Sequence, residues 1–365
     1  MIVKSLSFEN FRNLQNHTIY PCENVNVIYG ENAQGKTNLL EAIWLFCGGH
    51  SFRSSKENEM IGFEKEFFKL RMEFLSEGRD QSAQIRYFQN KKNIMINDVE
   101  KNSSAYLTEK FSAVVFSPEH LTLIKRGPQV RRKFIDAAVC QQKIRYASLL
   151  SKYQQILNQR NALLKDINRH RELLEVLSIW EDSLCDAGAQ ILKERFDYIE
   201  QIKKKAKEIH LGISFEKEIL DMEYLSTCDA KEDDSINTIR EKMKAALEKG
   251  REEDIRFGNT SCGPHRDDID ITINSLSSRR YASQGQQRSA VLSMKLAEAG
   301  LLFERRGEKP VILLDDVLSE LDAKRQDFLL NKVSDYQVFV TGCEESAKEQ
   351  LQNGKVFYVE NGAVR

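Results

Sequence analysis

Apolar and polar positions change rhythm several times along this chain. Over residues 1–29, Ile2, Leu6, Phe8 and Phe11, then Val25, Val27 and Tyr29, fall at alternating intervals. Period-two spacing turns one face of a strand toward a core, so two or three strands are predicted. The last of them covers Asn24-Val25-Asn26-Val27-Ile28-Tyr29. A glycine loop follows, then the helical stretch Thr37-Asn38-Leu39-Leu40-Glu41-Ala42-Ile43. Residues 66–100 read as a strand meander with segments at 67–74, 83–88 and 94–96 and a turn at Asn97-Asp98. Ala113-Val114-Val115-Phe116 is a further short strand.

From about Val130 to Glu208 proline vanishes and glycine almost does. Tyr146, Leu150, Tyr153, Leu157, Leu164 and Ile167 alternate at spacings of four and three, with Arg160 in one seam position. Leu173, Leu177, Trp180, Leu184, Ala187 and Ile191 repeat the pattern. This predicts two long helices packed antiparallel and joined near residues 168–171. Each arm is only a few heptads long, which suits a structural helical lobe better than a free coiled coil. Residues 229–254 form another charged, helical segment, and strands return at 269–273, 311–314, 338–341 and 356–359.

Length adds that 365 residues suffice for two lobes. With 41% apolar and 30% charged residues the balance is globular. The net charge of −1 supplies no global field for nucleic acid, so any such contact needs a local basic patch. Seven cysteines, an odd number without a Cys-x-x-Cys pair, predict neither a zinc site nor a disulfide framework and suit a reducing compartment. The first residues lack the apolar run of a signal peptide, and the run from Ala42 to Cys47 is too short to span a bilayer. A cytoplasmic protein without membrane attachment is expected.

Gly30-Glu31-Asn32-Ala33-Gln34-Gly35-Lys36-Thr37 matches G-x-x-x-x-G-K-[ST] between a predicted strand and a predicted helix. The glycines let backbone N–H groups turn inward onto phosphate oxygens, and the helix N-terminus adds partial positive charge. Lys36 is the candidate for the β- and γ-phosphates of ATP, and the Thr37 hydroxyl a candidate Mg²⁺ ligand. Val311-Ile312-Leu313-Leu314-Asp315-Asp316 reads as a buried parallel strand ending in two acids. Asp315 is the candidate to hold Mg²⁺, directly or through water. Asp316 is the candidate general base or positioner of the attacking water. If both motifs serve one nucleotide, the two chain ends build a single lobe and the helical middle is an insertion. The predicted division is an α/β lobe of mixed sheets with helices from residues 1–125 and 255–365, and a mainly helical lobe over 126–254 containing the antiparallel hairpin.

Ala282-Ser283-Gln284-Gly285-Gln286-Gln287-Arg288 precedes a predicted helix and offers a hydroxyl, backbone N–H groups and a dipole to an anion. Ser319-Glu320-Leu321-Asp322 follows the acidic pair. In this order, phosphate loop, long insertion, Ser-x-Gly-Gln signature, Asp-Asp strand and Ser-x-Leu-Asp, the chain resembles the ABC-type P-loop ATPase heads of DNA-maintenance proteins. Within them it resembles the RecF family of bacterial recombination mediators. Further matching segments are Phe11-Arg12-Asn13, His50-Ser51-Phe52-Arg53, Phe116-Ser117-Pro118-Glu119, Arg131-Arg132-Lys133-Phe134-Ile135-Asp136 and Gly263-Pro264-His265-Arg266-Asp267-Asp268.

The resemblance implies an ATP-dependent homodimer in which Ser283, Gly285 and Gln286 of one chain cap the nucleotide of the other, with Asp322 at the same interface. It also places Arg12 among the nucleotide contacts. It implies a clamp on double-stranded DNA and single-strand/duplex junctions that works with RecR, and with RecO in the same pathway, to load RecA at gaps during repair and the SOS response. Slow hydrolysis would reset it. The sequence departs from transport-type ABC proteins where Thr341-Gly342-Cys343 stands in place of a switch histidine, and in having Asp316 where many heads have glutamate. Residues 117–119 stand near the expected glutamine-loop position.

Lys125-Arg126-Gly127-Pro128-Gln129-Val130-Arg131-Arg132-Lys133 holds five cations and no acids. Its readings are contacts to DNA phosphates from Lys125, Arg126, Arg131, Arg132 and Lys133, a solvated helix start, or arginines paired inside the lobe. Lys203-Lys204-Lys205 reads as a solvated face. A transporter subunit, a P-loop kinase and an ATP-binding scaffold with negligible turnover are the rival classes. The atypical signature and absent switch histidine argue against the first, and a kinase has no use for a signature.

Overall fold

A computed structural model describes residues 1–48, 51–53, 56–167, 169–342 and 354–365. In chain order the strands are β1 (Ile2–Glu9), β2 (His17–Ile19), β3 (Val25–Tyr29), β4 (Phe67–Ser76), β5 (Arg79–Phe88), β6 (Lys91–Ile96), β7 (Val99–Lys101), β8 (Ala113–Phe116), β9 (Leu220–Leu225), β10 (Asp268–Ile273), β11 (Leu276–Ser277), β12 (Val311–Leu314), β13 (Val338–Gly342), β14 (Lys355–Glu360) and β15 (Ala363–Val364). The helices are α1 (Lys36–Trp44), α2 (Ala105–Lys110), α3 (Thr122–Lys125), α4 (Pro128–Gln142), α5 (Ile144–Ile167), α6 (Leu174–Ile213), α7 (Ile236–Phe257), α8 (Ser278–Tyr281), α9 (Gln284–Arg306) and α10 (Ala323–Lys332). They divide into two compact units, Met1–Leu121 with Lys295–Arg365, and Thr122–Met294.

In the first unit the meander forms an antiparallel sheet in the order β2-β1-β4-β5-β6-β7. Alternation does its usual work along β4: Phe68, Leu70, Met72 and Phe74 are buried, while Lys69, Arg71 and Glu73 between them point away from the core. Asn97 and Asp98 both take positive φ (51° and 61°) in the two-residue turn from β6 to β7, the geometry that suits the strands' twist. The second sheet runs β15-β14-β3-β13-β12-β8. From β14 to β8 all its pairs are parallel. All four residues of β12 are buried, as expected of a strand flanked on both sides, and each such side chain contributes about 2 kcal/mol. One core serves both sheets: Phe8 and Phe74 belong to the same buried cluster as Ile28, Leu313 and Phe339, together with Leu39, Leu40 and Ile43 of α1.

In the second unit α5 and α6 pack antiparallel, which the reversed order of their contacts records. Lys143 pairs with Glu194, Arg195 Nε donates to Tyr146 Oη at 3.2 Å, and Arg160 pairs with Glu181 at 2.8 Å. The polar interruption in the seam is therefore an ion-paired joint. Arg160 is fully buried; Nη1 donates to Asp254 Oδ2 and Thr260 Oγ1, both at 2.8 Å, and Nη2 to Glu181 Oε1. Asp254 arrives on α7, so one guanidinium ties three helices.

The unit boundaries differ from the expected division. Residues 255–294 belong with the helices, because β10 pairs antiparallel with β9 from Asp268↔Leu225 to Ile273↔Leu220. Strand β9 is not among the expected strands, and its pairing with β10 gives the reason for this segment's place. Replacing Arg160 by alanine would leave the buried Asp254 without its cation and Glu181 with Arg251 alone, a loss of about 3–5 kcal/mol. Urea unfolding followed by a helix signal is expected to show that loss, and a midpoint equal to the parent's would refute the joint.

Candidate nucleotide site

The phosphate loop leaves the C-terminal end of β3. At Gly30 a Cβ would lie 2.2 Å from the Val359 carbonyl oxygen, so no larger residue fits beneath the loop. Gly35 takes φ 116° to open α1, and Ala33 sits at φ 65°. The first turn of α1 carries no side-chain cap and no acid, the condition under which a helix N-terminus can receive an anion. The loop is braced from outside: Asn13 Nδ2 donates to Ala33 O at 3.3 Å, Gly362 N–H to Gln34 O at 3.1 Å and Asn361 N–H to Gln34 Oε1 at 2.5 Å. Glu31, Asn32 and Ala33 are exposed, whereas Lys36 is buried and its Nζ donates to Gly30 O (2.6 Å) and Glu31 O (3.1 Å).

Strand order brings the acidic pair to the same edge. With β13 lying between β3 and β12 and all three parallel, their C-terminal ends converge where α/β sheets bind ligands. Thr37 Oγ1 donates to Asp315 Oδ1 at 2.8 Å, and Thr341 Oγ1 donates to the same oxygen at 3.0 Å. Thr341 Oγ1 also accepts from the Asp316 N–H at 2.9 Å. Asp316 follows at φ 50°, a left-handed conformation that turns the chain sharply out of the strand. Burial raises the Asp315 pKa above the ordinary carboxylate value; the two hydroxyls pull it down and neighbouring Asp316 pushes it up.

Arg12, a nucleotide contact by resemblance, is gripped from behind the loop. Its Nε and Nη2 donate to Glu41 at 3.0 and 2.8 Å, and Nη1 donates to Glu59 O at 2.6 Å. Glu41 is fully buried on α1 and also accepts from Ser51 Oγ. Asn38 Oδ1 accepts from Arg53 Nη1 at 2.8 Å, and Asn38 Nδ2 donates to Asn13 Oδ1 at 2.7 Å. Sequence reasoning missed Glu41, Asn38 and Thr341 as parts of this shell; the one visible signal was an acid on the otherwise apolar face of α1. Asp322 caps α10, accepting from Arg325 N–H at 3.1 Å. Cys343 and His50 lie outside the described residues. Residues 117–119 open a turn in which Ser117 N–H donates to His120 Nδ1 at 3.0 Å.

In the second unit, Ser283 is exposed at the start of α9, with Gly285 and Gln286 half-buried behind it. Of the basic run, Lys125, Arg126 and Lys133 are exposed. Arg131 is a correction to the expected phosphate contacts. It is 4% exposed, donates twice to Asp268 (2.6 and 2.8 Å) and also to the carbonyls of Leu123 and Arg126. Arg132 is half-buried, with Nη1 on Asp267 O at 2.5 Å. Among the described residues no group of acids, histidines and cysteines forms a metal cluster, and no helix is long and apolar enough to cross a membrane.

A family model described as an AAA domain matches residues 5–253. The chain is 39% identical to the DNA replication and repair protein RecF of Clostridium perfringens, with all of both chains covered. It is 40% identical to the RecF of Caldanaerobacter subterraneus subsp. tengcongensis, with 100% of this chain and 99% of that one covered. A solved structure of the recombination mediator protein RecF-ATPrS in the RecFOR pathway superposes with a TM-score of 0.93 at 39% identity, covering 99% and 97% of the two chains. An Smc head domain from Pyrococcus furiosus shares the fold at a TM-score of 0.57 and 15% identity, covering 100% of this chain and 95% of that one. Sheet order and the loop at the end of β3 define an ABC-type P-loop ATPase head carrying a helical insertion. The chain belongs to the RecF family of DNA replication and repair proteins.

The raised Asp315 pKa has a stability consequence. A carboxyl whose folded pKa lies above its unfolded value stabilises the fold at low pH and loses that contribution as pH rises through the folded pKa. At neutral pH the ionised group therefore opposes folding of the nucleotide-free chain. Asp315→Asn, which keeps an acceptor for both hydroxyls, is expected to melt at a higher temperature without nucleotide and to lose that difference in acid. A lower Tm at neutral pH would overturn this.

Proposed function

We propose that this chain is an ATP-switched DNA clamp of recombinational repair. The observation that carries the reading is the 2.8 Å contact between Thr37 Oγ1 and Asp315 Oδ1, residues 278 positions apart in sequence. One hydroxyl and one carboxylate are the hard oxygen donors that Mg²⁺ takes alongside phosphate oxygens and water. Thr37 and Asp315 would hold the ion, which when bound neutralises charge on the triphosphate. Loop amides from residues 30–37 receive the phosphates, and Lys36 exchanges its two carbonyl partners for phosphate oxygens. Asp316, on its short arm, orients the attacking water or accepts its proton, which suits slow turnover. Arg12, a nucleotide contact in this reading, also holds Glu41 on the helix into which the loop opens.

Structures of RecF relatives with ATP and with ATPrS support nucleotide binding here. In this reading ATP pairs two copies. Ser283, Gly285 and Gln286 of one copy cap the nucleotide of the other, with Asp322 at the junction. The paired chains embrace duplex DNA and single-strand/duplex junctions, work with RecR and RecO, and help to load RecA at gaps. Lys125, Arg126 and Lys133 are the exposed cations of the DNA-facing run, with Arg132 beside them.

Sedimentation tests the switch: dimer with ATP, monomer with ADP or without nucleotide, and a Ser283→Arg variant that binds ATP yet stays monomeric. A dimer indifferent to nucleotide would reject it. Hydrolysis measured with and without DNA, for the parent and Lys36→Arg, separates a slow ATPase from an ATP-binding scaffold. Undetectable turnover in the parent would favour the scaffold.

DNA affinity is expected to fall steeply and linearly on a log–log plot against salt, with little sequence preference. Lys133→Ala and Arg126→Ala should each lower that slope by about one. Salt-insensitive binding would exclude phosphate contacts.

A further inference from the structure

The signature segment is held from beneath by a residue of the helical unit. Ser283 N–H donates to Gln286 Oε1 at 2.8 Å, and Gln286 N–H donates to Ser283 Oγ at 3.2 Å. This reciprocal capping box fixes the first turn of α9. The remaining donor of the amide, Gln286 Nε2, donates to Glu218 Oε1 at 2.9 Å. A carboxylate only accepts, and the Ser283 N–H only donates, so the two partners together allow the Gln286 amide one orientation.

Glu218 is delivered by a tight reversal at the end of α6. Phe215 and Glu216, neither of them glycine, both take left-handed conformations (φ 54° and 61°), a costly geometry for two consecutive L residues. Ser214 Oγ locks the turn, accepting from Glu218 N–H at 3.2 Å and donating to Glu218 O at 3.4 Å. The other carboxylate oxygen, Oε2, lies 3.2 Å from Nε2 of the buried His210, whose Nδ1 lies 3.2 Å from Ser293 Oγ. Gln286 and Ser293 are seven residues apart and share one face of α9. The end of α6 thus holds that face at two levels, which opposes both rotation and sliding of the signature turn.

We infer that Glu218 is a positioning residue for the signature, presetting Gln286 and Ser283 for the nucleotide of a second copy. This role rests on the dimer reading above. A signature fixed before association gives up less side-chain freedom on pairing, so its affinity depends on the brace.

The test uses the full chain and sedimentation with ATP. Glu218→Ala is expected to raise the concentration for half-dimerisation by about tenfold, the order of the cost of fixing one side chain in each of the two signatures on pairing, with ATP binding to the monomer unchanged. Glu218→Asp, which retains the charge but not the reach, should give a similar loss. Glu218→Gln, which can still accept from Gln286, should fall within about twofold of the parent.

A merely structural effect would add to that of Gln286→Ala; a brace acting through Gln286 makes Glu218→Ala/Gln286→Ala no weaker than Gln286→Ala alone. Additive effects, or Glu218→Ala and Glu218→Asp dimerising at the parent's concentration, would overturn the inference and leave the dimer reading standing. A parent that stays monomeric with ATP overturns both.

Discussion

One carboxylate oxygen organises the nucleotide edge. Oδ1 of Asp315 accepts from Thr37, at the start of α1, and from Thr341, at the end of β13. Three stretches of sequence that share no local contact are thereby drawn to one point, and parallel pairing of β3, β13 and β12 makes the meeting possible. Burial at this point opposes the ionisation of Asp315, while the two hydroxyls favour it. A buried carboxylate that is costly to ionise is the kind of group often found at functional sites.

The helical unit applies a different economy to its interior charges. Arg195 donates twice to Asp136 at 2.9 Å and reaches Tyr224 Oη at 3.0 Å and Pro264 O at 2.6 Å. Asp267 accepts from Tyr224 Oη, Thr227 N–H and Thr227 Oγ1 within 2.9 Å, while its burial holds its pKa above the ordinary range. Together with Arg160, these groups pin helices and the β9–β10 sheet through directional contacts that an apolar core would not supply. The Gly263-Pro264-His265-Arg266-Asp267-Asp268 segment is therefore an internal fastening of this unit. Asp267 is buried, Asp268 is half-buried against Arg131, Pro264 O accepts from Arg195 and Asp267 O from Arg132, and Arg266 is exposed.

Periodicity made most of the fold legible. Alternation located β3 and β4, continuous short apolar runs located β8 and β12, four-three spacing located α5 and α6, and the G-x-x-x-x-G-K-[ST] pattern located the loop. The need to bring Lys36 and Asp315 together was enough to predict that the chain ends share a lobe. What escaped was set by tertiary partners. Strand β9, Leu220-Asp221-Met222-Glu223-Tyr224-Leu225, alternates and buries Leu220, Met222 and Tyr224, so its own pattern marks a strand; what no local pattern gives is its pairing with β10, which shows where residues 255–294 belong. Arg131 and Lys133 look alike in sequence, yet Asp268, more than a hundred residues away, takes one inward and leaves the other in water. Thr341 was noted only for the histidine it replaces; its second hydroxyl contact to Asp315 depends on strand order, which no local pattern encodes.

The position of β3 also bears on how the chain acquires its shape during translation. Its two neighbours in the sheet, β13 and β14, come from residues 338–360. A growing polypeptide on the ribosome has made the phosphate loop, the meander and the whole helical unit before either neighbour exists. Until then β3 has both edges bare, and Gln34 lacks the Asn361 and Gly362 amides that brace it. The nascent chain therefore cannot close its nucleotide edge early, and the helical unit, a continuous stretch over 122–294, is synthesised before that edge is complete and can fold ahead of it.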